Sequence, residues 1–266
     1  KRRTKGQIAI EAGLEPLAEA LYARPELEPE LEAQAFINKN LGIEDTQSAL
    51  DGAKFILMER FSEDAKLLRQ LKTYLWEQGD IQGKVIESEK LKGEKFQDYF
   101  DYQEAISKIP SHRALALFRG RNEGVLSVNL VAHDHDPSDR LTPHPCEGQV
   151  AAHFEIEDKG RPADKWLKEV IRWTWRVKLN MHIETELLSN LREHAEKTAI
   201  DVFADNLKDL LLAAPAGSKA TLGLDPGLRT GVKVAVIDDT GKYVDYATIF
   251  PHAPRNQWDE SIEILA

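Results

Sequence analysis

The sequence predicts a mainly α N-terminal region with a long central helix, followed by the start of an α/β domain. Three observations carry that prediction. Residues Ala163 to Ala214 contain neither Gly nor Pro over 52 positions. Apolar residues recur along the second half of that run at helical spacing, from Leu187 through Leu191, Ala195 and Phe203 to Leu211. After Pro215-Ala216-Gly217-Ser218 the period changes from helical to strand-like at Thr221, the clearest domain boundary in the chain. The expected division is therefore a helical region over 1–162, a long central helix over 163–214 and a truncated second domain over 221–266.

The elements follow in order. Thr4 to Leu21, "TKGQIAIEAGLEPLAEAL", has the Ala9–Gly13 spacing of helix-turn-helix motifs. Its second helix carries Glu15 and Glu19 and no Lys or Arg before Arg24, so it repels phosphate and packing is the expected role. Ser62 can cap a helix with Leu67, Leu68, Leu71 and Leu75 on one face, ended by Gly79. Ser111 can likewise cap Ala114 to Phe118, with Gly120 at the exit. The first half thus reads as short helices packed on one another. Val125 to Val131, "VLSVNLV", alternates as a strand does but lacks a visible partner. Ala132 to Pro162, rich in His, Asp, Pro and Gly, reads as a loop with at most a short helix. One continuous helix over 163–214 would run roughly 75 Å, so the expectation is a break near Leu179-Asn180 or a spine joining separate modules. Thr221–Asp225, Lys233–Ile237 and Tyr243–Phe250 form an antiparallel meander, because their short connections leave no room for a parallel crossover. Trp258 to Ala266 begins another helix.

Composition bounds the function. At 266 residues, 42% apolar and 30% charged, the chain has the balance of a globular protein with a sizeable core. No stretch approaches the roughly 20 apolar residues of a membrane span, and the N-terminus lacks a signal-peptide segment. The expected location is cytoplasmic, with no membrane partner. Cys146 is the single cysteine, which excludes an intrachain disulfide and a cysteine-built zinc site. The chain lacks an initial Met and stops at Ile264-Leu265-Ala266 within a predicted helix, so it reads as a piece of a longer protein. Its net charge of −10 is the wrong sign for extensive phosphate binding, so any nucleic-acid contact must be local. The candidate cations are Lys1, Arg2, Arg3 and Lys5, then Arg119 and Arg121, then Arg172, Arg176 and Lys178, and Arg229 in the last module. Each cluster also fits a solvated helix face.

The most informative stretch is "TLGLDPGLRTGVKVAVID", Thr221 to Asp238, in which Asp225 ends an apolar run before Pro226-Gly227-Leu228-Arg229-Thr230-Gly231. A meander opening on a strand-end Asp and a Gly-containing turn begins the RNase H-like superfold. In its nucleases such an Asp is one of several carboxylates holding two metal ions. In its ATPases the same turn lies beside nucleotide phosphates. The structural alternative is a buried corner in which Asp225 accepts backbone N–H groups. Only one recognisable carboxylate of a catalytic set is present, so this piece is expected to be inert alone, with Asp225 a vestigial catalytic candidate.

"KRRTKGQIA", "KFQDYFDY" (95–102), "IPSHRALALFRGRNEGVL" (109–126), "ADKWLKEVIRWTW" (163–175), "GLDPGLRTGVKVAVID" and "PHAPRNQW" together resemble the bacterial Tex family of transcription accessory proteins over nearly the whole chain. That family resembles the core of a eukaryotic transcription elongation factor. The resemblance implies a helical N-terminal region, a long central helix and an RNase H-like domain of the YqgF (Holliday-junction resolvase) type. It further implies helix-hairpin-helix repeats and an OB-fold RNA-binding domain that are missing here. It implies RNA or DNA as partner, bound weakly by this piece, with RNA polymerase or ribosome-associated machinery as possible protein partners. It also implies that the resolvase-like domain binds rather than cuts.

Two constellations remain. His133, Asp134, His135, Asp136, His144, Cys146 and His153 include metal-ligand types, but three nearby prolines favour a polar loop; no metal and no cofactor is expected. Trp166, Trp173 and Trp175 with Arg172, Arg176 and Lys178 could stack on single-stranded bases. Residues two apart on a helix point different ways, so at least one tryptophan is expected in the core. The first reading is a non-enzymatic, nucleic-acid-binding transcription accessory or elongation factor. A metal-dependent nuclease completed downstream and a protein-interaction scaffold are the alternatives.

Overall fold

The computed structural model describes residues 3–133, 135, 142–214, 217–227 and 230–266. They divide into two compact units, one up to Phe203 and one from Ala204 onward.

In the first unit, α1 (Lys5–Glu11), α2 (Glu15–Ala23) and α3 (Pro29–Gln34) pack on α4 (Thr46–Ser62). Thr4 caps α1 by accepting the Gln7 N–H, and Asp45 forms a capping box with Ser48 at the start of α4. Ala9, Leu14, Leu17, Ala18 and Leu21 are buried, so the helix-turn-helix-like spacing serves packing. Helix α5 (Ala65–Gln78) is capped by Asp64, whose Oδ1 accepts the Leu67 N–H at 2.8 Å. Ser62, the expected cap, instead lies in the last turn of α4 and donates to the Glu59 carbonyl. Gly79 closes α5 as expected, yet no loop follows it.

The chain passes directly into β1 (Gly79–Val85), which pairs antiparallel with β2 (Asp101–Ala105) and β3 (Leu126–Ala132) in the order β2-β1-β3. Strands β1 and β2 were not anticipated among the helices of this half, and β1 is the partner that "VLSVNLV" required. Ile81, Leu126 and Val128 face the core, while Gln82, Gln103 and Asn129 line the other face in register. Helix α6 (Ser111–Asn122) starts after Pro110 with no side-chain cap, so Ser111 is its first residue and not its cap. Gly120 lies inside α6, where a Cβ would come within 2.5 Å of Leu126; the exit is Gly124, with φ +72°. The short helix allowed for in the His-rich segment is α7 (Pro145–His153).

No break interrupts the long helix. Helix α8 (Asp164–Trp173) continues through a π-helical turn, Thr174–Leu179, into α9 (Asn180–Leu211). Ile171, Trp175, Leu179, Ile183, Leu187, Leu191 and Ala195, all buried, recur strictly every fourth residue. In a regular α-helix that spacing drifts by about 40° per step. The wider π turn opposes the drift and keeps the stripe on one core. The helix also changes core along its length. Trp166, Leu167 and Val170 pack with α1–α4, whereas Ile171 onward packs with α5, the sheet, α6 and α7.

In the second unit, β4 (Thr221–Gly227), β5 (Gly231–Ile237) and β6 (Tyr243–Ile249) form the expected antiparallel meander, followed by α10 (Trp258–Leu265). Among the described residues no helix is long and apolar enough to cross a membrane.

Candidate nucleic-acid interface

Asp225 stands near the carboxyl end of β4, opposite Lys233 in the β4–β5 register. Its side chain is 77% exposed, and Lys233 Nζ lies 3.9 Å from its carboxylate. The alternative of a buried corner therefore fails. That corner role belongs to Asp238, whose Oδ1 accepts the N–H groups of Thr240 and Lys242 at 2.8 and 3.0 Å. These bonds hold the Asp238 carboxyl below the usual carboxylate range, led by the Thr240 hydroxyl. Asp225 and Lys233 line an open groove of about 610 Å³ with Leu224, Ala235, Tyr246 and Thr248. Beyond the same strand end, Pro226, Gly231, Phe250, His252 and Arg255 line a hollow of about 330 Å³. The Arg255 guanidinium sits 3.9 Å from the Phe250 ring centre. Neither Lys233 nor Arg255 was singled out by sequence; only the register and the return of the chain after β6 bring them to the Asp225 end.

The candidate cations of the first unit fall at three places. Lys1, Arg2 and Arg229 lie outside the described residues. Arg3 pairs with Glu11 at 2.7 Å, and Lys5 Nζ lies 4.8 Å from the Phe55 ring centre. Arg119 and Arg121 occupy the last turn of α6, a position that favours cations at the negative end of the helix dipole. Arg176 and Lys178 belong to the π turn, where Arg176 Nε meets Glu147 at 3.2 Å and Lys178 Nζ meets Glu59 at 3.2 Å. Glu59 also accepts from Thr4 Oγ1 and the Gly6 N–H, so it joins the start of α1 to the π turn. Burial opposes ionisation of Glu59, but the Thr4, Gly6 and Lys178 bonds outweigh it and lower its pKa. Two of the three cation clusters are thus brought together, while their charge is largely shared with carboxylates. Arg172 has no ion pair among the described residues.

Trp166 and Trp175 are buried and Trp173 is 41% exposed, with Lys54 Nζ 5.2 Å from its ring centre. The histidine-rich segment is dispersed among structural partners. His133 Nδ1 meets Asp80 at 2.7 Å, His153 Nε2 meets Asp64 at 3.1 Å, and His144 caps α7. Cys146 is buried, and burial followed by Glu147 pushes its thiol up to about 12, so it is no thiolate donor at neutral pH. Asp134 and Asp136 lie outside the described residues; among those described, no group of three or more His, Cys, Asp or Glu is arranged to hold a metal.

A helical unit with a small sheet, a long helix and a meander opening on a strand-end aspartate define a helical scaffold leading into an RNase H-like module. The Tex central region-like family model matches residues 24–203, and the Tex protein YqgF-like domain model matches residues 219–266. The chain belongs to the Tex family. It is 54% identical over 255 residues to Protein YhgF of Escherichia coli (strain K12), covering 95% of this chain and 32% of that protein. It is 49% identical over 271 residues to Protein tex of Bordetella pertussis (strain Tohama I), covering 100% and 34%. It is also 49% identical over 258 residues to Transcriptional accessory protein Tex of Neisseria gonorrhoeae, covering 96% and 33%. The chain spans about a third of the length of these relatives.

Proposed function

We propose that this chain is the scaffold part of a transcription accessory factor, one that acts on nucleic acid by binding and not by cleavage. Family membership and the name of the Neisseria gonorrhoeae relative support a nucleic-acid-related role in transcription. RNA or DNA would be met by local cations away from the outward face of the long helix, Lys5, Arg119 and Arg121 among them, with RNA polymerase or ribosome-associated machinery as protein partners. The observation that carries the non-catalytic reading is the Asp225–Lys233 pair. Two-metal cleavage needs further carboxylates around the first. Here the neighbouring strand offers an ammonium, whose charge competes with a divalent cation for the same oxygen atoms.

A net charge of −10 opposes phosphate, and contact through few cations gives weak, salt-sensitive affinity. Fluorescence anisotropy of labelled single-stranded RNA and duplex DNA across a salt series tests this. The expected dissociation constants fall at or above roughly 10⁻⁶ M, the non-specific range at physiological salt, and rise steeply with added salt. Tight binding that persists at high salt would overturn the reading.

A further inference from the structure

The exposed residues of the long helix between Lys168 and Met181 are paired at every fourth step. They are Lys168 with Glu169, Arg172 with Trp173, Arg176 with Val177, and Asn180 with Met181. The π turn lies within this stretch and keeps the pairs on one outward face, as it keeps the buried stripe on the inward one. The result is two parallel rows. One is cationic: Lys168, Arg172 and Arg176. The other is apolar, with Trp173 41% exposed, Val177 51% and Met181 73%. Glu169 heads the apolar row, but its carboxylate is held by Lys54 at 3.2 Å, and the same ammonium lies against the Trp173 ring. Glu147 takes Arg176 Nε at 3.2 Å and Asp158 lies 4.0 Å from Lys168 Nζ, while Arg172, in the middle of the row, has no ion pair among the described residues.

We infer that this ridge docks an acidic amphipathic helix of a partner protein, an assignment independent of nucleic-acid binding elsewhere on the chain. Apolar anchors four residues apart are how one helix reads another. Trp173 to Met181 offers three such anchors over roughly 12 Å of helix, at 1.5 Å per residue. A thioether at one end adapts to varied apolar partners. The cationic row beside it selects a helix carrying carboxylates next to its apolar face and disfavours a basic one. Single-stranded nucleic acid fits less well, because base stacking needs aromatic faces and only Trp173 supplies one. Neither Val177 nor Met181 gives a base anything to stack on.

The test uses a protein of the relatives' full length carrying this sequence and a fluorescein-labelled synthetic helix with Leu at every fourth position and Glu beside each Leu. A version with Lys for Glu and a 12-nucleotide single-stranded RNA are the comparisons. Two variants, Arg172→Glu and the double change Val177→Glu with Met181→Glu, alter exposed positions only, and their melting curves should match the parent protein. The expected result is saturable binding of the acidic helix, at least tenfold stronger than the basic one and at least tenfold weakened by each variant. Three results would overturn the inference. One is equal binding of both helices by parent and variants; another is RNA binding that both variants abolish while the peptide does not bind. The third is self-association of the parent protein, in sedimentation, that the Val177/Met181 double change removes, which would make the ridge a contact between copies.

Discussion

His144 joins a cap, a ring stack and a titration in one side chain. Its Nδ1 accepts the Cys146 N–H at 3.1 Å, and its ring stacks on buried Trp175 at 4.6 Å between centres. The His135 ring meets it edge-on at 4.7 Å. Burial first, then the nearby charges of His135 and Arg176, lowers its pKa from the ordinary 6.5 to about 4. An accepting Nδ1 must be unprotonated, so the fold selects the neutral ring. The stability this selection provides is complete above the unfolded value near 6.5 and is lost as pH falls toward 4. We expect on the order of 1–2 kcal/mol of pH-dependent loss over that window, after discounting for the part of the ring that meets solvent. His144→Asn keeps a cap acceptor and cannot titrate. Urea unfolding of both proteins from pH 7.5 to 4 should show a shallower decline for the variant; parallel declines would refute the assignment. A run of histidines in the sequence suggested ligands because their partners Asp64, Asp80 and Trp175 are distant in the chain. Spacing reports neighbours along the chain, and these contacts are made in space.

Among elements, the long helix and the β4–β6 meander were legible because each carries its own period. Strands β1 and β2 were not. "GDIQGKV" buries Asp80 and Gly83 beside Ile81, and "DYQEA" offers only Tyr102 and Ala105 as apolar residues, three positions apart, so neither alternates as a half-buried strand should. Their burial is decided by partners, with Asp80 satisfied by Gln103 and His133. The direct join from α5 to β1 rests on Gly79, where a Cβ would meet the Leu75 carbonyl oxygen at 2.2 Å and Leu130 at 3.2 Å. The carbonyl is backbone and cannot rotate aside. Gly79→Ala should therefore cost about 1–3 kcal/mol, the range for forcing extra atoms into a packed site, read as a lower urea midpoint with an unchanged slope. An unchanged midpoint would show that the join can shift without cost. The π turn was half legible: the strict four-residue stripe from Ile171 to Ala195 conflicts with a 3.6-residue period. The break at Leu179-Asn180 was expected from length alone, as one of two outcomes for a run of roughly 75 Å; the chain stays helical there and accommodates the stripe by widening one turn.

For the whole molecule, charge restricts any nucleic-acid contact to local cations. Excess carboxylates keep the surface unsuited to coating with nucleic acid, and three of the cations that the sequence grouped together, Arg3, Arg176 and Lys178, are paired within the fold by Glu11, Glu147 and Glu59. The position of Asp225 was legible from its strand-end motif, but its exposure and its lysine neighbour follow from strand register, which the motif does not specify. The central claim is that a protein containing this chain binds without cutting, and Asp225 is where it can be tested. A protein of the relatives' full length carrying this sequence, and its Asp225→Asn variant, would be incubated with labelled branched DNA and with RNA in Mg²⁺ or Mn²⁺. The account predicts no metal-dependent product from either protein and equal binding by both. Cleavage by the parent protein that requires the metal and disappears in the variant would contradict it.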